Sequence, residues 1–328
     1  MKRRVSVAVS SYDHVHDLLT GRVRAEGLDL VFLEYGPEEI FQRFARQREW
    51  DVSEFSLALY VAMRSRGDDS LIGIPVFPSR VFRHSSIYTR AGHVDDPSAL
   101  SGCRVGVSEW VQTAGVWARG ILEEQYGVDI AAIEWIQAGT NEPGRAETVN
   151  VTLPAGVTCT PRPDASLDRL LTSGEIDAVI SARPPESFLR GEGVVRLIRD
   201  HVAVEQCWWK DTAIFPIMHL IVVRRDVYEE TRWIAQSLVA AFTEAKRLSV
   251  ARLRDAAASH VAVPWISDRV AEITPLFGEG SDYWPYGVEQ NRTTLEAFVR
   301  FAVKQGIAAP DLAIESLFAP ETEFEPRV

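Results

Sequence analysis

Cysteine is scarce: 328 residues hold three, Cys103, Cys159 and Cys207. They are odd in number, far apart and without a C-x-x-C spacing, which argues against a disulfide framework or a cysteine zinc site. They read as buried or idle thiols. Also missing is any run approaching the roughly 20 apolar residues of a membrane helix. Positive charge is in deficit, with a formal net charge of −11. A general nucleic-acid binder needs clustered Lys and Arg, so that class is disfavoured. The charge bears on solubility and leaves room for a local basic pocket. There is no G-x-G-x-x-G, no G-x-x-x-x-G-K-[ST], no G-x-S-x-G and no H-E-x-x-H. Internal repeats and low-complexity tracts are absent as well. Met1-Lys2-Arg3-Arg4 looks like the charged start of an export signal. The next residues, Val5 to Asp13, form a short alternating segment and not an apolar signal core. The expectation is a cytoplasmic protein with no membrane or nucleic-acid partner; monomer and homo-oligomer are both compatible with the sequence.

What is present is ordinary for a globular protein: 46% hydrophobic and 25% charged residues. The length exceeds the usual single core and predicts two lobes. Val5–Val9 and Leu28–Leu33 read as strands, and Pro37-Glu38-Glu39 opens a helix to about Gln47. Asp51–Phe55 is a strand, Leu57–Arg66 a helix, and Leu71–Phe77 a strand broken by Pro78. Such alternation predicts mainly parallel sheets flanked by helices. Ser85–Thr89 reads as a first crossing into a second lobe. That lobe holds the strand Arg104–Val107, a helix from Thr113 to Gln125, and strands at Ile133–Ile136 and Ile176–Ile180. Residues 139–163, rich in Pro and Gly, read as loop or short hairpin. Ile214–Val223 crosses back, and the remainder is helical, with a capping-box pattern at Thr293-x-x-Glu296. The division is 1–90 with 214–328 as one discontinuous lobe and 91–213 as the inserted one. This is the layout of hinged, two-lobed ligand-binding proteins.

Ligands in open α/β sheets sit beyond the carboxyl ends of strands. That rule selects Ser10 to Asp13, Ser53-Glu54, Pro78 to Arg80, Ser108 to Trp110 and Ser181 to Arg183. Arg80 and Arg83, with His84, adjoin the first crossing. A guanidinium offers a planar fork to a carboxylate and an imidazole titrates near neutrality, although a solvated turn is the bland alternative. His219 sits in the returning strand, either functional or a satisfied core histidine. Arg183 is a second-lobe clamp or an ordinary ion-pair partner, and Tyr12 and Trp110 supply an aromatic wall or packing. Glu54, His84 and His219 are types that bind metals, but their spacing gives no evidence of a metal site.

At these residues the chain resembles the 4,5-dihydroxyphthalate decarboxylase family, related to type II periplasmic solute-binding proteins. The resemblance rests on Trp50 to Leu57, Ile74 to Tyr88, Arg104 to Val107, Gly120-Ile121-Leu122, Ser181-Ala182-Arg183, Phe215 to His219 and Trp284 to Gly287. It implies an α/β, type II periplasmic-binding-protein-like fold and cofactor-independent loss of one carboxylate from a hydroxylated aromatic acid. The roles expected from the residues themselves are Arg80, Arg83 and Arg183 as anion clamps and His84 or His219 as proton donor. Glu54 or Glu109 would take a phenol proton or orient a histidine. Tyr12, Ser53, Trp110 and Thr113 complete the binding set. The competing reading is a non-catalytic aromatic-carboxylate binder, either a cytoplasmic sensor or a solute-binding protein; fold alone does not separate the two.

Overall fold

The computed structural model describes residues 2–258, 260–278 and 282–322. The strands are β1 (Arg3–Ala8), β2 (Leu28–Leu33), β3 (Val52–Ser56), β4 (Leu71–Arg80), β5 (Ile87–Arg90) and β6 (Arg104–Val107). They continue with β7 (Glu134–Gly139), β8 (Thr158–Ser166), β9 (Ala178–Ile180), β10 (Val194–Arg196) and β11 (Ile217–Arg224). Among the described residues they form two sheets, ordered β2-β1-β3-β11-β4 and β10-β5-β9-β6-β7-β8. One strand in each sheet runs against all the others: β11 in the first and β5 in the second. These are the strands on which the chain arrives after changing lobes. Elsewhere each sheet is parallel, and its inner strands β3, β6 and β9 are buried along almost their whole length, as strands covered on both faces are.

Several expectations need correction. Strand β4 runs through Pro78 to Arg80. Proline is tolerated there because β4 is an edge strand. Within the stretch 139–163, expected as loop or short hairpin, Thr158 begins β8, an edge strand parallel to β7 whose Pro161 and Pro163 are tolerated for the same reason. Ile87–Arg90 already belongs to the second sheet, so the first crossing is the short segment 81–86 and not Ser85–Thr89. The capping box at Thr293 does not form. The N-cap of the helix Arg292–Lys304 lies two residues earlier, at Asn291, which makes no cap hydrogen bond. The Asn291 amide is spent on the Pro285 and Gly287 carbonyls, tying down the preceding turn.

The lobes share more than two crossings. The helix Thr113–Tyr126 of the second lobe packs on the C-terminal helix, with Trp117 against Phe298 and Phe301 at centroid distances of 5.4 and 5.6 Å. Gly120 permits this approach, because a Cβ there would overlap the Phe301 ring. Beside it the fully buried Arg119 stacks on Trp110 at 3.9 Å and donates to the Gln305 amide oxygen. The stretch 292–305 therefore does not serve the first lobe alone. One continuous buried cluster reaches from β1 through Trp117 to Phe301. No helix among the described residues is long and apolar enough to cross a membrane.

Candidate active site

Strand β11 enters the first sheet antiparallel to β3, with His219 opposite Ser56 and Ile221 opposite Glu54. Glu54 and His219 are thus diagonal neighbours on one sheet face, within side-chain reach. On its other side His219 is flanked by register shifts against β4, the kind of irregularity that re-aims a side chain. Glu54 is fully buried. Its carboxylate accepts from His219 Nδ1 at 2.6 Å, from the Tyr12 hydroxyl at 2.6 Å and from the Ser10 N–H at 2.9 Å. Burial pushes this carboxyl up, but the His219 hydrogen bond and charge, with the Tyr12 and Ser10 bonds, outweigh it and hold Glu54 below the usual carboxylate range. Tyr12 is pushed well up, by burial first and the Glu54 charge second, so its phenol stays a neutral donor. With Nδ1 committed to a carboxylate, Nε2 is the nitrogen left for a ligand.

His219 lines a cavity of about 180 Å³ between the lobes, together with Phe41, Ser56, Arg83, Thr113 and Met218. Arg83 is buried, with 8% of its surface exposed. Its hydrogen-bond partners among the described residues are both neutral, Met218 Sδ at 3.1 Å and Ser86 Oγ at 3.3 Å. Burial pulls its pKa down to about 10, which leaves it a cation at neutral pH. Beside it opens the first turn of the helix Thr113–Tyr126, whose N-cap Gln112 makes no side-chain cap bond. Gln112, Thr113 and Ala114 all line the cavity, so a desolvated guanidinium and the positive end of a helix face one space. That combination favours an anion.

The expected residues divide. Arg83, Glu109, Thr113, Arg183 and His219 line the cavity, and Glu54 and Tyr12 support His219 from behind. Thr113 holds the lobes in place, its hydroxyl bonded to Ser56 Oγ at 2.9 Å and accepting from the Ala58 N–H at 3.0 Å. Arg183 stands at the cavity rim, ion-paired across the lobes with Glu38 at 2.9 Å. Glu109 is engaged by Arg145 and by the Thr148 N–H at 2.9 Å.

Arg80, His84, Ser53 and Trp110 do not line the cavity. Arg80 is buried and bound by the Phe215 and Pro285 carbonyls at 3.1 and 2.8 Å and by Asn291. It staples the C-terminal turn to the second crossing. His84 points the other way, its Nε2 on the Gln125 amide oxygen at 2.8 Å and its ring against Trp208. A Glu54/His84/His219 trio is therefore not assembled. Among the described residues no group of three or more His, Cys, Asp or Glu could hold a metal. The Ser53 hydroxyl turns back to the Glu54 carbonyl. Trp110 is sealed behind the site against Arg119 and Trp135. The aromatic wall is instead Phe41, edge-on to His219 at 4.7 Å, a residue read only as part of a helix. Sequence reasoning also misses Arg145, which sits in the stretch 139–163 that reads as loop or short hairpin.

No family model matches the chain. A 4,5-dihydroxyphthalate decarboxylase from Comamonas testosteroni is 38% identical over 322 residues, covering 97% of each chain. The chain belongs to the 4,5-dihydroxyphthalate decarboxylase family. It is accordingly an enzyme of the carboxy-lyase class. A second member, from Pseudomonas putida, is 39% identical over 212 residues, covering 64% of this chain and 82% of the relative. Among solved structures, the desulfurization enzyme DSZB superposes with a TM-score of 0.55 at 14% identity, covering 98% of both chains. A periplasmic sulfonate-binding protein SsuA from Methylobacillus flagellatus gives 0.55 at 12% identity, covering 98% of this chain and 92% of the other. These likenesses establish the type II periplasmic-binding-protein-like fold of this decarboxylase-family chain.

Proposed function

We propose that this protein decarboxylates a hydroxylated aromatic dicarboxylate of the 4,5-dihydroxyphthalate type in the interlobe cavity, with His219 delivering the proton to the ring. The substrate class follows the names of the two curated relatives. The observation that carries the catalytic reading is a single cavity lined by both a carboxylate-held imidazole and a buried guanidinium whose hydrogen-bond partners among the described residues are neutral.

Direct loss of CO₂ from an aromatic ring would leave an aryl carbanion with little stabilisation. In 4,5-dihydroxyphthalate each carboxylate is para to a hydroxyl, which opens an easier route. Loss of the phenol proton to solvent pushes an electron pair through the ring toward the carbon bearing the carboxylate. That carbon takes a proton from His219 Nε2, forming the C–H bond. The C–C bond then breaks, its pair restores the aromatic ring, and CO₂ leaves. Return of a proton to the phenolate completes a balance of one proton consumed per CO₂ released. Glu54 orients the ring nitrogen and stabilises the imidazolium, as a buried carboxylate does for a catalytic histidine. Its oxygens already accept from His219, Tyr12 and Ser10, so Glu54 acts as orienter and not as the phenol's base. Arg83 and the Thr113 helix terminus fix a carboxylate, supplying the positioning on which such a step depends.

The purified protein is incubated with a panel of hydroxylated aromatic acids while CO₂ release and thermal shift are followed together. Turnover with uptake of one proton per CO₂ on an ortho-dicarboxylate bearing a para hydroxyl is the expected result. A thermal shift without turnover across the panel would favour the non-catalytic binder.

A further inference from the structure

Resting on the decarboxylase reading, we infer that Arg145 is the second anion clamp, the residue that selects an ortho-dicarboxylate over a monocarboxylate, and that Glu109 is its positioning residue.

An ortho-diacid carries two adjacent negative charges, and Arg83 with the Thr113 helix terminus answers one of them. Three other cationic types line the cavity, Arg145, Arg183 and His219. His219 is committed through Nδ1 to Glu54. The Arg183 side chain is 63% exposed and paired with the half-exposed Glu38, so solvent and salt weaken its grip. Arg145 differs in being held from several directions. Its side chain is 25% exposed against 6% for that of Glu109. Glu109 Oε1 accepts from Arg145 Nε at 2.7 Å and also from Nη2, while Oε2 accepts from the Thr148 N–H. Of the five guanidinium N–H groups, those on Nη1 have no such engagement among the described residues.

The backbone is pinned as firmly. The buried Gln137 donates its amide to the Ser108 carbonyl at 2.7 Å and to the Arg145 carbonyl at 3.0 Å. This hangs the loop on the ends of β6 and β7. Gly139 closes the arrangement, since a Cβ there would collide with the Glu142 carbonyl oxygen and lie 3.3 Å from the Arg145 Cβ. The chain can fold back over the end of β7 only with glycine at that point. One carboxylate oxygen thus grips the guanidinium, while a side-chain amide and a glycine fix the loop that carries it, at a cavity that already holds a buried cation. A fixed fork of this kind suits a planar carboxylate.

The test compares a matched, unreactive pair, phthalate and benzoate, by calorimetric titration of wild type, Arg145→Gln, Glu109→Gln and the double variant. The expected outcome for Arg145→Gln is phthalate affinity reduced on the order of 10- to 100-fold, with benzoate affinity within about twofold of wild type. Glu109→Gln moves the phthalate-to-benzoate ratio in the same direction and adds little to Arg145→Gln in the double variant, the signature of one acting through the other. Equal loss of both ligands, loss of neither, or additive effects would overturn the assignment. Should Arg145→Gln fail to fold, Arg145→Lys, which keeps the charge but not the fork, is read by the same ratio. CO₂ release by wild type on 4,5-dihydroxyphthalate is scored separately. If it is absent the decarboxylase reading falls, while the ligand ratio still decides the role of Arg145.

Discussion

Replacing Arg83 by methionine should make the protein more stable and unable to hold its ligand. The side chain is 8% exposed, and its hydrogen-bond partners among the described residues are a thioether and a hydroxyl. A desolvated cation with neutral partners costs the folded state, and an apolar side chain of similar length removes that cost. By analogy with buried charges exchanged for packed apolar groups, the gain is about 1–3 kcal/mol. A chain of this length unfolds with an entropy of about 0.7 kcal/mol/K, so the melting temperature should rise by roughly 1–4 °C. Binding moves the other way. Two charge-assisted hydrogen bonds to a carboxylate, at about 1.5–3 kcal/mol each, correspond to a loss of roughly 10² to 10⁴ in affinity. Calorimetric melting of the free protein and titration with phthalate measure both quantities on the same preparation. An Arg83→Met variant that binds phthalate as tightly as wild type, or that melts several degrees lower, would show this assignment of Arg83 to be wrong.

Arg80→Ala should have the opposite signature. It removes the staple between the Phe215 and Pro285 carbonyls, leaving buried acceptors unpaired at a cost of about 1–3 kcal/mol each, while folded protein titrates with phthalate as wild type does. Glu54→Gln should lower turnover more than affinity, because the amide no longer stabilises an imidazolium; steady-state kinetics give the split. The same pair has a pH dependence of definite sign. The Glu54 pKa is held below its ordinary value of 4.5 in the folded state, so its contribution to stability is present above that value and is lost as pH falls through the folded pKa. The melting-temperature gap between wild type and Glu54→Gln should accordingly be widest above pH 4.5 and narrow in more acidic buffer.

The fold was legible because strand–helix alternation and the polar strand ends report sheet architecture directly. Two strand bounds slip because the strands lie at sheet edges: Pro78, Pro161 and Pro163 break a central strand but not β4 or β8. In the site, strand-end logic points to Glu54, Glu109 and Arg183, since periodicity fixes where a strand stops, whereas His219 stands out only as a histidine inside the returning strand. It could not separate Arg80 from Arg83. Three residues apart at a crossing, they diverge, one to the Pro285 turn and the other to the cavity. Only tertiary placement decides that. His84 misled for the same reason, as a histidine beside two arginines looks functional until Gln125 is found on its Nε2. Arg145 was invisible because nothing in a Pro- and Gly-rich stretch marks one arginine as pinned. The close approach at Gly139 that fixes it exists only once the loop has folded back.

The proton-donor role is tested by CO₂ release from 4,5-dihydroxyphthalate by His219→Asn, with phthalate affinity measured alongside. A side chain that can still bond Glu54 but cannot carry the proton should lower turnover by roughly 10² to 10⁴ while affinity changes little. Turnover at the wild-type rate in that variant would rule His219 out as the donor.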